Sequence, residues 1–392
     1  MVREMSKRRT LAVYGLVVLT TLLLLVSSLT VWTKRQLLDT DAWTSSSTQI
    51  LADPEVRLAL SNRLVDLLYQ RVDVAGALEQ SLPPAAKGSA PAAAAALQTA
   101  AVRVVDAFLS TARAQRLWEN INRRAHTALV NVLEGKQAGA ISTAGGAVTL
   151  DLRPLLERIQ ARLGIADKVR PNAPPDAGQI VLLRPDQLDA AQKTVQAVRV
   201  LSVFLAIAVL ALYALAIFLA RGRRRLLLQV SGASILFAGL VLLAVRRLVG
   251  DAIVDALVKT EAGKPPVHTI WLIETALLRD IAVGLVVYGL VAIIAGWLGG
   301  ASRPAVAIRR FLAPTFRQRP VLVHAVAAMI FLIIIAWGPI AGSRRLIGIV
   351  VLAALIGFGL EVWRRQTVRE FPAGPAAPPE EPEFEAQKPA LT

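Results

Sequence analysis

Long apolar runs alternate along this chain with segments in which apolar residues recur at the three- and four-residue spacing of a helix. Six of the runs approach the about 20 apolar residues that cross a hydrocarbon layer of about 30 Å. We therefore predict a mainly α, polytopic helical membrane protein of about six spans. The predicted spans are residues 11–32, 199–220, 226–245, 281–298, 321–337 and 346–363.

Residues 33–198, between the first two predicted spans, have the pattern of a folded domain. Asp53, Pro54 and Glu55 supply an N-cap, a first-turn proline and an early acid, which together favour the start of a helix. Three stripes of apolar residues follow at helical spacing, and such stripes normally face a core. Their members are Val56, Leu60, Leu64, Leu67 and Leu68, then Leu97, Ala101, Val104, Val105, Phe108 and Leu109, then Leu117, Ile121, Ala125, Ala128, Leu129 and Val132.

The same stretch predicts a small sheet, which makes the expected domain α+β. Residues 140–143 and 147–152 flank a Gly-Gly turn as a hairpin, and residues 178–183 have the pattern of another short strand. Between these strands a helix is predicted from Pro154, with an apolar face made of Leu155, Ile159 and Leu163.

No glycine or proline occurs from Asp186 to Ala220, and the apolar stripe of the domain continues into the second span. One helix of these 35 residues is about 52 Å long, which exceeds the thickness of the hydrocarbon layer. We expect this helix to join the domain rigidly to the membrane. Residues 246–280 extend the third span in a similar way and predict a second extracytoplasmic helical segment.

Composition agrees with a membrane protein, because 55% of the residues are hydrophobic and the mean hydropathy is +0.52. The formal net charge of +16 does not indicate nucleic-acid binding, since the domain over residues 33–198 is nearly neutral. Much of the excess lies in basic clusters beside apolar runs, which is typical of charges that face anionic lipid headgroups. The clusters are Lys7 to Arg9, Arg221 to Arg225, Arg309 with Arg310, and Arg364 with Arg365.

The flanking charges also predict an orientation. The first apolar run has no A-x-A cleavage site, so we interpret it as a retained signal anchor. With both termini cytoplasmic, the inner flanks carry twice as many lysines and arginines as the outer flanks. We therefore predict a multi-pass protein of a bacterial plasma membrane. Its predicted inner parts are a cytoplasmic N-terminus at 1–10, a cytoplasmic loop at 299–320 and a disordered cytoplasmic tail at 364–392.

Recognisable catalytic chemistry is sparse. The chain has no cysteine, and its three histidines, His126, His268 and His324, are dispersed without metal-ligand spacing. No Walker loop, GxGxxG or GxSxG motif occurs, so nucleotide, Rossmann and α/β-hydrolase chemistry have no support. We predict no catalytic, cofactor-binding or metal-binding residue and favour a non-enzymatic protein, although an unfamiliar enzyme stays open.

Five side chains are candidates for contact with a ligand or partner. Asp39, Asp41 and Trp43 follow the first span, where the acids could bind a cation or a sugar. The simpler interpretation is that Asp41 caps a helix and Trp43 lies at the membrane interface. Gln229 and His324 are polar residues inside predicted spans, and such residues often mark functional sites.

The chain resembles a group of multi-pass integral membrane proteins of actinobacteria, a group with no assigned activity. The likeness covers nearly everything except the tail. It rests on Asp39 to Trp43, Asp53 to Val56, Asp176 to Val181, Arg221 to Arg225, and Leu278 to Ile281. It implies an envelope location and assigns no role to any residue.

Our leading hypothesis is an envelope protein whose extracytoplasmic domain binds a protein, glycan or lipid partner, without nucleic acid and with the oligomeric state open. The alternative is a small-molecule or lipid transporter with a cleft between its spans. A third class, an envelope hydrolase, would need Asp39 and Asp41 to converge with other acids in a pocket.

Overall fold

The computed structural model describes residues 7–136, 141–142, 148–151, 179–183, 185–220, 224–337 and 346–372, and these residues are mostly helical. They form two compact units, residues 1–291 and residues 292–392. The helices are α1 Lys7–Leu38, α2 Thr40–Ala52, α3 Pro54–Arg71, α4 Val74–Ser81, α5 Ala90–Leu109, α6 Ala112–Leu133, α7 Pro185–Leu219, α8 Arg224–Leu257, α9 Lys264–Glu274, α10 Ala276–Leu298, α11 Arg303–Gln318, α12 Pro320–Trp337 and α13 Leu346–Glu370, with short 3-10 turns at Pro84–Ser89 and Glu261–Gly263.

Three short strands follow α6. They are β1 Ile141–Ser142, β2 Val148–Asp151 and β3 Gln179–Leu183, and they pair antiparallel in the order β1-β2-β3. Ile141 lies opposite Leu150, and Thr149 lies opposite Val181. The side of a membrane on which this sheet lies stays a prediction. The predicted helix from Pro154 lies outside the described residues. The predicted tail over 364–392 is wrong in its first part, because residues 364–370 belong to α13, and its residues from 373 onward also lie outside the described part of the chain.

Five described helical segments are long and apolar enough to cross a bilayer, and a sixth span results if α11 and α12, bent by 112°, count as one. The chain is therefore a mainly helical, multi-pass membrane protein. Four of the segments coincide with the first four predicted spans. The segments are Leu11–Leu38, Pro84–Leu109, Gln187–Leu219, Arg225–Leu257 and Ala276–Leu298.

The segment Pro84–Leu109, which contains α5, was not predicted as a span. Its apolar character comes largely from alanine, and only 6% of its apolar window is buried. Asp106 on α5 accepts a hydrogen bond from Arg57 Nε at 2.9 Å, and Gln98 Nε2 donates to Asp66 at 2.9 Å. Since these bonds join α5 to the polar, non-spanning helix α3, we assign α5 to the helical layer built by α2 to α6.

The helices α1, α7, α8 and α10 pack together in the first unit. Two clusters of buried side chains join them, one around Val17 and Ala216 and the other around Leu242 and Ala282. Backbones come very close where α8 crosses α10. A Cβ on Gly239 would lie 2.6 Å from the Ala282 carbonyl oxygen, so only glycine fits there.

The helix α7 is continuous from Pro185 to Leu219, as the sequence predicted. Its first half is joined to the end of α6, where Gln192 Nε2 donates to the Val132 carbonyl at 2.9 Å and Arg199 pairs with Glu134. Gly135 ends α6 with a φ of 73°, a conformation that glycine adopts without strain.

The predicted helical segment over 246–280 is also present. The helix α8 continues to Leu257, and α9 then returns to pack against α8, α2 and α3. Trp271 of α9 lies against Gly250, and its indole Nε1 donates to the Arg246 carbonyl at 3.1 Å. This segment therefore fixes the layer of α2 and α3 to the long helices.

The apolar stripes predicted for α3, α5 and α6 are wrong in part. Leu68, Val104, Phe108, Leu117 and Ile121 are all more than half exposed. The buried face of α6 contains Val132 of the predicted stripe, together with Ala114, His126 and Val130, which were not predicted. The reason is tertiary, because α6 packs on α2, whose buried face is rich in hydroxyls and accepts a polar partner.

The second unit contains the end of α10 together with α11, α12 and α13. The region predicted as a loop at 299–320 is largely the helix α11. Ala305, Arg309, Ala313 and Phe316 recur at helical spacing on its buried face, and this face packs against α13.

Candidate functional site

A polar surface lies between α2 and α6. Asp39 caps α2, since its Oδ1 accepts hydrogen bonds from the amides of Asp41 at 3.0 Å and Ala42 at 3.2 Å. The prediction that Asp41 is the cap is therefore wrong by two positions. Because Asp39 satisfies the helix end, the carboxylate of Asp41 is left available for other contacts.

Asp41 forms an ion pair across the two helices. Its Oδ1 accepts a hydrogen bond from Arg123 Nη1 on α6 at 2.6 Å, and Arg123 Nη2 lies 3.8 Å from Glu119 Oε1. The hydrogen bond to Asp41 raises the pKa of the Arg123 guanidinium. The pair is well exposed, so it adds little to stability and serves mainly to position charges.

An open cleft of about 350 Å³ lies beside this ion pair. One wall is a row of hydroxyl and amide side chains on α2, and the other carries the charged residues of α6. Both walls belong to the first unit. The lining residues are Asp41, Thr44, Ser45, Thr48, Gln49, Ala52, Glu119 and Arg123.

Hydrogen-bond donors in the cleft are mostly occupied. The Thr44 hydroxyl donates to the Thr40 carbonyl at 2.6 Å, and the Thr48 hydroxyl donates to the Thr44 carbonyl at 2.8 Å. Gln49 Nε2 donates to Ser45, both to its carbonyl and to its hydroxyl. The cleft therefore presents mainly acceptor oxygens, with Arg123 as its cationic group.

His126 and Trp43 pack together next to the cleft. Their ring centroids are 5.0 Å apart with an interplanar angle of 20°, which is a stacked arrangement. His126 is only 3% exposed. Its Nδ1 lies 3.1 Å from Thr40 Oγ1 and its Nε2 lies 3.2 Å from the Leu37 carbonyl. Burial lowers the pKa of His126 from its ordinary value of 6.5, against smaller opposing effects of the Leu37 carbonyl and Asp39.

Beneath the cleft, α2 is held by a buried polar cluster that sequence reasoning missed. Gln36 is 4% exposed, and its Nε2 donates to Ser46 Oγ at 2.9 Å and to Glu274 Oε2 at 2.6 Å. Trp118 Nε1 of α6 donates to the Ser47 carbonyl at 3.0 Å. The signal available in the sequence was the run of serines and threonines in α2, because hydroxyl groups that become buried require hydrogen-bond partners.

Gln229 and His324, the two candidates within predicted spans, lie in different units. Gln229 is half-buried on α8. The His324 side chain is 45% exposed on α12, with its Nδ1 2.7 Å from the carbonyl of Pro320 on the same helix and its Nε2 3.9 Å from Glu361. Local contacts therefore account for the position of His324 without a ligand.

A metal site at Asp39 and Asp41 gains no support from this geometry. One oxygen of Asp39 accepts two backbone amides, and Asp41 is paired with Arg123. Among the described residues, no three histidine, aspartate or glutamate side chains are placed to hold a metal ion together.

Comparison with known proteins adds no assignment, because no family model, no curated protein and no solved structure matches the chain. The resemblance to the actinobacterial group stays a prediction.

Proposed function

We propose that this protein is a non-enzymatic protein of the bacterial cell envelope, whose α2–α6 cleft binds a polar ligand or the polar surface of a partner. The observation that supports this proposal is the cleft, which has a volume of about 350 Å³ and oxygen-rich walls on two helices. These helices are joined by the hydrogen bond from Trp118 to the Ser47 carbonyl. In this proposal the layer of α2 to α6 is extracytoplasmic, both termini are cytoplasmic, α1 is a signal anchor and the bilayer is the plasma membrane.

The distribution of donors and acceptors indicates the chemistry of the ligand. Asp41, Glu119 and the hydroxyl oxygens of α2 accept hydrogen bonds, while most local donors are already used. A matching ligand carries several O–H or N–H groups, as the hydroxyls of a glycan or the amides and amines of a peptide do. Arg123 supplies one contact for an acceptor or an acidic group.

The hydrolase hypothesis loses its main support. It required Asp39 and Asp41 to act together, but the carboxylate of Asp39 is committed to capping α2. Asp41 is engaged by the guanidinium of Arg123, and Glu119 Oε1 lies 3.8 Å from the same group. The joint action of Asp39 and Asp41 that the hypothesis required is therefore absent from the geometry of this surface.

Site-specific photo-crosslinking in cells tests the proposal. A photoreactive amino acid at Ser45, on the exposed wall of the cleft, should give a discrete adduct with a protein, glycan or lipid. The double variant Asp41→Asn and Glu119→Gln should weaken that adduct about tenfold, since two charge-assisted contacts are lost. Glu79→Gln on α4 is the matched control and should leave it unchanged.

The same probe at Ser110, an exposed residue away from the lining, measures background labelling. Equal labelling at Ser45 and Ser110, or an adduct insensitive to the Asp41 and Glu119 changes, would contradict a binding role for the cleft.

A further inference from the structure

The helix α11 in the second unit is strongly basic. Residues 303–318 contain no aspartate or glutamate, and a further cation follows directly at Arg319. The arginine side chains of such a helix repel one another unless anions lie nearby. The cations of the segment are Arg303, Arg309, Arg310, Arg317 and Arg319.

Four of these cations fall into two groups, and the fifth, Arg317, is half-buried and donates to the Ala313 carbonyl on its own helix. Arg309 is 1% exposed and fully engaged, because its guanidinium forms two parallel hydrogen bonds to Glu370, at 2.8 and 2.9 Å, and also binds the carbonyls of Leu298 and Gly300. Arg303, Arg310 and Arg319 are exposed, and within the described part of the chain no acidic side chain pairs with them. These three cations face away from the packed side of α11.

The exposed side of α11 is also apolar in places. Phe311 is 80% exposed and stands next to Arg310, and Val321 at the start of α12 is likewise 80% exposed. Arg310 lies over the ring of Phe371, with its guanidinium carbon 5.8 Å from the ring centroid. An aromatic side chain among arginines matches the boundary between lipid headgroups and acyl chains.

The direction of α11 fits this boundary. The helix α12 has 18 residues of almost entirely apolar character, a length of about 27 Å that nearly crosses the hydrocarbon layer. The axis turns by 112° between α11 and α12. If α12 crosses the bilayer, α11 runs close to the plane of the membrane surface rather than through it.

We infer that α11 is an interfacial helix that binds anionic phospholipid headgroups through Arg303, Arg310 and Arg319, with Phe311 inserted at the level of the upper acyl chains. Arg309 holds the helix on α13 and is not available to lipid. The tail supplies a competing anion, since Glu380, Glu381, Glu383 and Glu385 follow α13 in sequence. Phe311 and Val321 are both exposed, and apolar side chains gain from insertion into acyl chains but not from contact with carboxylates. They therefore favour anionic lipid over the acidic cluster as the occupant of this surface.

The test uses the full chain in lipid nanodiscs. Because the protein has no cysteine, Ala307→Cys on the exposed side of α11 gives a single site for an environment-sensitive fluorophore. Lipids with a nitroxide on an upper acyl carbon should quench it, and quenching should be stronger in anionic than in zwitterionic nanodiscs. Replacing Arg303, Arg310 and Arg319 by glutamine should abolish that difference.

Two further variants separate lipid contact from other causes. Phe311→Ser should reduce quenching by about half while the dependence on anionic lipid persists, since only insertion is lost. Replacing the exposed arginines Arg63, Arg113 and Arg116 by glutamine makes the same change of charge in the first unit and should have no effect.

The inference is overturned if the fluorophore at position 307 is quenched equally in both lipids, or if the difference survives the triple change on α11. It is also overturned if the difference appears only when the chain is truncated after Pro372, because the acidic tail would then be the occupant of this surface.

Discussion

At the residue scale, neighbouring positions in the sequence have different roles. Arg309 and Arg310 form one basic cluster, which the sequence analysis assigned to the membrane surface. In the structure Arg310 is exposed, whereas Arg309 is buried against α13 and the end of α10. Successive residues of a helix differ by about 100° in direction, so a cluster in sequence is divided between two faces.

The burial of Arg309 gives a direct prediction. Arg309→Ala removes the two hydrogen bonds that Glu370 accepts from the guanidinium and those to the carbonyls of Leu298 and Gly300, and it should lower the free energy of unfolding by about 3 kcal/mol. Arg309→Lys should recover only part of this, because an ammonium cannot form the two parallel bonds. Thermal unfolding in detergent measures both, with the exposed Arg303→Ala as a control. Equal stability of the Arg309→Ala and Arg303→Ala variants would falsify the structural role of Arg309.

His126 gives a prediction about pH. Its pKa is lowered in the folded state, so below the ordinary value of 6.5 the unfolded chain binds a proton that the folded chain resists. The lowered pKa of His126 therefore has no effect on stability well above pH 6.5, and it destabilises the folded protein increasingly as the pH falls below that value. The melting temperature should fall between about pH 7 and about pH 5.

The variant His126→Phe keeps an aromatic ring against Trp43 but cannot titrate. This variant should remove part of the decrease in melting temperature at acidic pH. A His126→Phe profile that coincides with that of the parent would show that this histidine does not contribute.

At the element scale, sequence periodicity located most helices but did not show which helices pack against one another. The continuous α7 was predictable because residues 186–220 contain no glycine or proline. The packed face of α6 was not, because the hydroxyl-rich α2 selects a polar surface over the more apolar stripe. The candidate site was likewise predicted only in part. Asp41 does line the cleft, whereas Arg123 and Glu119, and the stacking of Trp43 on His126, depend on a contact between helices about 80 residues apart.

Close packing between α8 and α10 can be tested at its glycines. A Cβ on Gly239 would lie 2.6 Å from the Ala282 carbonyl, and one on Gly289 would lie 2.5 Å from the Leu236 nitrogen. Gly239→Ala and Gly289→Ala should each lower the free energy of unfolding by about 1–3 kcal/mol through overpacking.

Gly15 in α1 is the matched control, because a Cβ there would meet nothing within 4 Å. Gly15→Ala should leave stability unchanged or raise it slightly, since alanine favours a helix over glycine. A similar melting temperature for all three variants would show that α8 and α10 are not in backbone contact.

At the scale of the whole molecule, the number of spans determines which surface faces which compartment. The apolar helix α5 is the critical element, because one additional span would place every later segment on the opposite side. Its bonds to α3 argue against a span, while its composition alone would permit one.

Labelling of single cysteines in intact cells resolves this. Ser45 and Ser110 lie on either side of α5, both exposed, and Ser302 precedes α11. We expect a membrane-impermeant maleimide to label Ser45→Cys and Ser110→Cys equally and to label Ser302→Cys only after the cells are opened. Labelling of Ser45→Cys without Ser110→Cys would instead make α5 a span.

The uninterrupted helix α7 has a mechanical consequence. About 14 of its residues precede the predicted second span, which is a length of about 21 Å. Because α7 has no break, this part moves together with the span. A change of about 10° in the tilt of the span within the bilayer therefore moves the N-terminal end of α7 sideways by about 4 Å. Gln192 lies about halfway along this projecting part and donates to the Val132 carbonyl at the end of α6, so the displacement is passed to the helix that carries one wall of the α2–α6 cleft. The thickness of the surrounding bilayer thereby becomes a variable that can reshape the cleft.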